Sequence, residues 1–425
     1  MKVLGVIAEY NPFHNGHLYH IEQSKSVSGC DAVVCVMSGN YIQRGEPALI
    51  NKFARAEMAL KSGIDLIIEL PTPFAMSSAE MFAFGAVKIL DSIGIVDCIS
   101  FGSEHGDIAS LQFVSDILVN EPLEYKNELK KQLSLGFSFP VCRQNALSKY
   151  IENQQISRGS FDMSMLLETS NNILGIEYLK AISRLKSSIK PYTIRRVANQ
   201  YNSTDLSGNI SSATAIRNNI LTVETPNEAL SLNATEAIPL NTKFILDREI
   251  REGRGPNSIN SFENIILALL RQTGIERLRD LPGISEGLEY RIKKAGEISG
   301  SIDELIANIC TKRYTQTRIQ RILFSLLTGI SKSDIELFMQ YGGPQYSRIL
   351  GFNHTGRELL SDMKKNSLLP IIAKTSDYRN SCNKLLARML DMEARATDLY
   401  VLGYKKQVFR KAGQEFTQNI IIKKE

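Results

Sequence analysis

At 425 residues the chain exceeds what one ordinary hydrophobic core encloses, so two or three domains are expected. A hydrophobic fraction of 43% with 22% charged residues is that of a folded globular protein and excludes an extended disordered chain. The net charge of +5 is unevenly spread: residues 311–425 hold 20 Lys and Arg against 10 Asp and Glu, which leaves the rest near −5 and turns that basic third toward either a polyanion or plain solvent.

Read in chain order, residues 3–10 (VLGVIAEY) form an apolar, β-rich run. The run is too short for a signal peptide and Glu9 interrupts it, and no stretch approaches the ~18 apolar residues of a membrane span, so the expectation is a soluble cytoplasmic protein without a membrane partner. Residues 16–28 look helical, 31–39 (DAVVCVMSG) read as a second strand, 51–63 as a helix closed by glycine, and 65–71 (DLIIELP) as a third strand. A Ser-capped helix over 77–94, a strand over 97–104 and an Asp-opened helix over 106–120 continue the alternation. Continuous apolar strands between helices predict an α/β, Rossmann-like doubly wound parallel sheet. Residues 121–185 read as a mostly helical insertion, 191–198 as a further strand, 199–209 as a polar loop and 210–220 as the start of a helix. Past a linker-like stretch at 225–239 the spacing turns helical, in ENIILALLR, ISEGLEYRIKKA, IDELIANICTKRY, TRIQRILFSLLTG and residues 381–404. The predicted division is therefore a catalytic domain over 1–238 and a mainly helical domain over 239–425. Six cysteines (Cys30, Cys35, Cys98, Cys142, Cys310, Cys382) form no CxxC pair and read as small buried hydrophobes rather than metal ligands or disulfides.

Three of the five histidines, His14, His17 and His20, stand within twelve residues directly after the first strand. The carboxyl edge of such a sheet is where doubly wound domains take ligands, and the next helix offers free N–H groups to an anion. In HNGH, two imidazoles three apart can face one point, and Gly16 lets a phosphate approach the backbone. Two imidazole donors suit the charge of a nucleotidyl-transfer transition state. The same pair could hold a metal, but without Cys and with any carboxylate supplied from elsewhere; no metal ligand is assigned. His20 lies almost two turns on and reads equally as an ordinary helix residue. ISSATAIR (210–217) puts hydroxyls at a helix start and Arg217 one turn in, which suits an anion or a simple Ser cap.

HxGH after the first strand with ISSxxIR after the last is the signature of the HIGH-type nucleotidylyltransferases. Together with MSGNYIQRGEPALINKFARAEMAL, DLIIELPTPFAMSSAEMFAFGAV, SFGSE, SNNILGIEYLKA and TKRYTQTRIQRIL, in order along the chain, the sequence resembles the bacterial tRNA(Met) cytidine acetate ligase family. That resemblance implies an ATP-dependent ligase that makes acetyl-adenylate from acetate, releases pyrophosphate, and acetylates N4 of the wobble cytidine of elongator tRNA(Met). It implies ATP as co-substrate, Mg²⁺ as the triphosphate's ordinary companion, and tRNA(Met) and acetate as partners, with no protein partner indicated. By resemblance, His14 and His17 stabilise the transition state, and the nucleotide is wrapped by Ile7, Ala8, Glu9, Tyr10, Asn11, Pro12, Phe13, His14, Asn15, Gly16, His17, Leu18, Tyr19 and His20. Gly102, Asn171, Arg196, Ser211, Ser212 and Arg217 complete the implied ATP contacts. Asn172 and Arg195 stand beside two of these, and the chain has ISSA where ISST is common, so Ser212 and Thr214 compete for one phosphate contact.

Residues 39–49 also fall at the ligand edge, where Gln43 and Arg44 could reach acetate or phosphate, and Lys52 and Arg55 either hold pyrophosphate or line a solvated helix face. In 311–327, Ile319, Ile322, Leu323 and Leu326 mark a buried face, so Arg318 and Arg321 are expected to point outward beside Lys312, Arg313 and Tyr314 and to meet RNA phosphates. Arg348 and Arg357 are added to that surface, with His354 in a loop. The competing readings are a small-molecule nucleotidylyltransferase, which has no need of a basic half, and a non-catalytic RNA-binding protein, which has no need of intact HNGH and ISSATAIR motifs.

Overall fold

The apolar runs become the middle of one sheet in the computed structural model, which describes residues 1–154, 166–196, 211–222, 235–285, 287–378 and 381–423. Strand β1 (Val3–Ala8) is flanked by β2 (Ala32–Ser38) and, on its other side, by the strand Cys98–Ser103. Numbered along the chain, the sheet continues with β3 (Leu66–Leu70) beside β2, β4 (Cys98–Ser103) beside β1, and β5 (Lys190–Arg195) beside β4, all parallel. All seven residues of β2 are buried, which is why these strands read as unbroken apolar runs instead of alternating ones.

The sheet does not stop with the first half of the chain. Strand β6 (Ser347–Phe352) runs antiparallel to β3, pairing Leu66 with Phe352 and Glu69 with Arg348, and β7 (Ile421–Ile422) lies beyond it. The order is β7-β6-β3-β2-β1-β4-β5, with Ile371–Ile372 also paired to β6. The expected all-parallel sheet is thus a mixed one, closed by a strand supplied from residue 347 onward. His354 accordingly opens the helix His354–Asn366 and is not in a loop.

Helices cover both faces. One core packs helices Ala79–Ser92, Ile108–Asn120, Ser170–Leu185 and Lys384–Tyr400 against β1–β4. The other packs Asn15–Ser28, Lys52–Lys61, Ala213–Thr222 and Leu240–Arg251. Helix Ser170–Leu185 therefore belongs to the sheet, whereas Leu123–Ser134 and Phe139–Asn153 pack chiefly on each other. Leu240–Arg251 shares a core with the first helix, so the sheet's core runs past residues 238 and 239. A third core is helical, built from Glu263–Gln272, Leu288–Ile298, Ile302–Ile309 and Gln316–Thr328, and it reaches the β2 loop through Tyr41, whose ring lies 5.8 Å from Phe324. The loop read over 199–209, Ile210 and most of the linker at 225–239 lie outside the described residues.

Candidate active site

Strand order reverses direction at β1, with β2 on one side and β4 on the other, and the cleft opens at the carboxyl ends of these strands. Past Ala8 the chain turns through Tyr10 at φ +46 and a cis Asn11–Pro12 bond. It then buries Phe13 completely and delivers His14 as the N-cap of helix Asn15–Ser28. The His14 Nδ1 accepts the Gly16 N–H at 3.0 Å, and the His17 Nδ1 accepts the His14 N–H at 3.2 Å. Two histidines thus close a reciprocal capping box, a task that Ser or Thr with Glu usually performs. The rings stack with centroids 3.7 Å apart, and Tyr10 stands edge-on to His17 at 4.9 Å.

This capping settles the chemistry of both rings. A neutral imidazole whose Nδ1 accepts must carry its proton on Nε2, so each ring keeps one N–H donor directed away from the helix backbone. Burial, followed by the charges of Arg196 and Arg217, pushes the His14 pKa down to about 3. Burial, then His14 and Arg196, holds His17 well below its ordinary value, and burial with Arg196 brings His20 to about 4. The folded protein therefore refuses protons that the unfolded chain accepts below pH ~6.5. Unfolding stability is expected to fall as pH drops from 6.5 toward 4, and His20→Asn should lose less than the parent between pH 7 and pH 5 in urea denaturation. For the same reason the free enzyme should show no acidic limb near pH 6.5 in the kcat/KM for nucleotide.

The opposite wall comes from helix Ala213–Thr222. The Ser212 hydroxyl caps it by accepting the Ala215 N–H at 3.1 Å. Arg217 donates to the Asn11 carbonyl at 3.0 Å and to the Thr214 hydroxyl at 3.3 Å, which ties the two motifs together across the cleft. Thr214 is therefore the hydroxyl against the arginine and Ser212 the cap. The Ser211 Oγ, the Asn11 Nδ2 and the His20 Nε2 are buried and have no hydrogen-bond partner among the described residues. Three orphaned polar atoms in one cleft mark where a polar ligand completes the hydrogen bonding.

The third wall is organised by Glu104, which follows β4. Its carboxylate accepts from the Thr169 hydroxyl, the Asn171 side chain at 2.6 Å and the Asn172 N–H at 2.8 Å, and so caps helix Ser170–Leu185. Asn171 in turn faces Arg196, whose Nη1 lies 3.4 Å from its Oδ1. Asn172 turns inward, where its Oδ1 accepts from the Glu104 and His105 amides. Between the adjacent asparagines the structure thus brings Asn171 to the cleft, while Arg195 and Arg196 both line it. A Cβ on Gly102 would come within 3.3 Å of the Arg196 side chain, so the bare backbone there keeps the cleft open.

Of the residues read from the sequence, Ile7, Ala8, Glu9, Tyr10, Asn11, His14, Gly16, His17, Tyr19, His20, Gly102, Asn171, Arg196, Ser211, Ser212 and Arg217 line this cleft. Pro12, Phe13, Asn15 and Leu18 do not: Phe13 is core, Leu18 packs against the same core, and Asn15 is bonded to the Glu236 and Ala237 carbonyls. Sequence reasoning missed an apolar floor of Phe82, Phe101, Leu174, Tyr178 and Ile194, because such residues look like ordinary core. Four arginines (Arg44, Arg195, Arg196, Arg217) against the single carboxylate of Glu9 make the described lining strongly positive, as a polyphosphate requires. Burial raises the Glu9 pKa, against the Gln43 amide, Arg217 and Arg44. Lys52 and Arg55 neither reach the cleft nor face solvent: Lys52 is fully buried in ion pairs, and Arg55 is bonded to the carbonyls of Glu9, Ser38 and Gly39. Arg348 is likewise buried, paired with Glu69, and offers nothing to RNA. Arg321 is half-buried, and burial followed by Arg318 lowers its pKa to about 10.

A helix N-terminus with paired imidazoles, facing a Ser/Thr/Arg helix start across the switch point of a sheet, defines a nucleotidyl transferase of the HIGH type, and the HIGH Nucleotidyl Transferase family model matches residues 1–415. The tRNA(Met) cytidine acetate ligase of Acetivibrio thermocellus is 52% identical over 422 residues, covering 99% of this chain and 100% of that one. The enzyme of the same name from Thermoanaerobacter sp. is 45% identical over 421 residues, with 99% and 100% coverage. Thermotoga maritima TmcAL superposes on the whole chain at 38% identity, with a TM-score of 0.94 for the apo crystal and 0.91 for the crystal bound with alpha-thio ATP. The chain belongs to the tRNA(Met) cytidine acetate ligase family.

Proposed function

We propose that this protein activates acetate with ATP and transfers the acetyl group to N4 of the wobble cytidine of elongator tRNA(Met). The observation that carries the reading is the paired Nε2–H donors of His14 and His17, facing Ser211, Thr214 and Arg217 across one cleft. Their relatives' shared name and the alpha-thio ATP bound to Thermotoga maritima TmcAL support the same substrates. In the first step a carboxylate oxygen of acetate attacks the α-phosphorus, an O–P bond forms, and the bond to the departing pyrophosphate breaks. No proton changes place, so the protein's task is positioning and charge stabilisation. Neutral imidazoles donate to the phosphoryl oxygens as their charge grows, and Arg217 and Arg196 meet the rest. In the second step the cytidine amine attacks the acetyl carbonyl carbon, an N–C bond forms as the C–O bond to AMP breaks, and the amine's proton passes to solvent.

Mg²⁺ enters with the triphosphate as its companion. The nearby carboxylates are engaged, Glu9 with the Gln43 amide at 2.8 Å and Glu46 with Arg217 at 3.7 Å, and no group of three metal-ligating side chains occurs among the described residues. No helix of the described chain is long and apolar enough to cross a membrane. The test is incubation with ATP, labelled acetate and unmodified tRNA(Met), followed by nucleoside analysis. Labelled N4-acetylcytidine is the expected product. A pyrophosphate exchange that needs some other metabolite in place of acetate would instead identify a small-molecule nucleotidylyltransferase.

A further inference from the structure

The loop after β2 forms a small hairpin, Tyr41–Ile42 paired with Glu46–Pro47, whose tip carries Gln43 and Arg44 into the cleft. One side of the tip is fixed to the nucleotide wall: the Gln43 N–H donates to Glu9 at 2.8 Å and its side chain to the Ser77 carbonyl at 3.2 Å. The other side is fixed to helix Gln316–Thr328. Arg321 donates to the Gln43 carbonyl at 3.2 Å, and Gly45, at φ +75, lies so close that a Cβ there would stand 2.2 Å from the Arg321 amide nitrogen. The hairpin tip therefore joins the cleft to this helix, whose first residue, Gln316, lies about 8 Å from Arg321 along the helix axis.

Just before that helix, Thr311 closes a tight turn. Its hydroxyl accepts the N–H groups of Arg313 and Tyr314, and its own N–H donates to the Tyr314 carbonyl at 3.1 Å. The turn presents Lys312 and Arg313 to solvent and leaves Tyr314 half-buried. Arg318 is anchored to the Gly283 carbonyl at 2.8 Å and to the Ser285 hydroxyl, and its guanidinium lies 5.2 Å from the Tyr314 ring centroid. Arg318 therefore does not reach outward as a phosphate ligand but holds an aromatic ring in place. A fixed aromatic ring next to two exposed cations suits a single-stranded nucleic acid, in which bases stack on rings while Lys and Arg follow the backbone.

We propose that the Lys312–Tyr314 turn is the docking surface for the single-stranded RNA that flanks the target base: Lys312 and Arg313 meet its phosphates, Tyr314 stacks one neighbouring base, and the Gln43–Arg44 tip admits the extruded base to the cleft. The proposal rests on the function above and assigns its RNA side to a particular surface. Other basic stretches fit less well. Along helix Lys384–Tyr400 the carboxylates of Asp334 and Asp391 share one groove with Lys384, Arg388 and Arg395 and oppose a phosphate there.

The test uses the full-length protein and a fluorescent anticodon stem-loop RNA with an unmodified wobble cytidine. Lys312→Gln/Arg313→Gln should weaken binding at least tenfold and reduce the slope of log Kd against log salt by about 1.4, the loss of two single-strand phosphate contacts. Tyr314→Ala should weaken it about fivefold or more, whereas Tyr314→Phe should bind as the parent does. Acetate-dependent ATP–pyrophosphate exchange, read without RNA, should persist in all three and so report an intact nucleotide site. Parent-like binding and salt slope in the glutamine pair, or loss in Lys384→Gln instead, would overturn the assignment. Absence of acetyl transfer by the parent protein would sink the proposed function, and the binding comparison would still decide where RNA docks.

Discussion

His17→Ala is expected to lower acetate-dependent ATP–pyrophosphate exchange by about 10²–10³-fold, the usual loss when one preorganised donor to a developing charge is removed. Two roles of this side chain must be separated. Its Nδ1 caps the His14 amide and its Nε2–H faces the cleft. Loss of a cap lowers stability by about 1 kcal/mol, which leaves the protein folded and cannot reduce a rate a hundredfold. His14→Asn supplies the control, because asparagine at an N-cap still accepts the Gly16 N–H but has no Nε2. It should unfold at a urea concentration close to the parent's and yet lose most of its exchange activity. Parent-like exchange in both variants would remove the imidazoles from the mechanism. A rise in the KM for ATP with kcat unchanged would instead make them ground-state ligands.

What could be read in advance, and what could not, follows from how far each residue's partners lie along the chain. The strands β1–β4 and the Asp107 and Ser78 caps depend on near neighbours and on burial, so the expected spans fall within two or three residues of those observed. The HNGH box is equally local, since His14 and His17 complete each other's hydrogen bonds. Strand β6 was hidden because SRILGF carries a serine, an arginine and a glycine, which interrupt the apolar signal. Its arginine is tolerable in the sheet because Glu69, 279 residues away, and Glu415 receive it. The same distance rule explains Lys52 and Arg55, whose basic character on a short helix imitates a solvated or anion-binding face. Glu104 was silent as well, because its work is to hold Asn171 and the start of a helix some 65 residues later.

Lys52→Met is expected to destabilise the fold by about 3–5 kcal/mol, a large share of the stability of a typical domain. Lys52 has no exposed surface, and its ammonium meets Glu69 at 2.7 Å, Glu415 at 2.9 Å and Glu393 at 3.2 Å. Arg348 adds a second cation, 2.9 Å from Glu69 and also paired with Glu415. Burial works to raise the Glu69 pKa, but Lys52 and Arg348 outweigh it and hold the carboxyl at about 2. Glu393 moves the other way, raised by burial and by Glu69, and it accepts from the Thr72 amide and hydroxyl at 2.9 Å. Two cations among three carboxylates reach neutrality when Glu393 keeps a proton. Methionine at position 52 preserves most of the volume and strands the carboxylates, so the loss measures uncompensated charge rather than a cavity. Glu393→Gln, which mimics the protonated acid, should cost less than about 1 kcal/mol in the same urea titration. Glu69→Gln should cost several times more, and its penalty should shrink as pH falls through the lower carboxylate range, because the parent's stability from a depressed carboxyl is present above the unfolded pKa and lost below it. The five groups come from the start of helix Lys52–Lys61, from β3 and β6, from helix Lys384–Tyr400 and from Gln414–Thr417. A loss under 1 kcal/mol for Lys52→Met would mean that packing alone, not this buried charge cluster, joins the last strands to the nucleotide sheet.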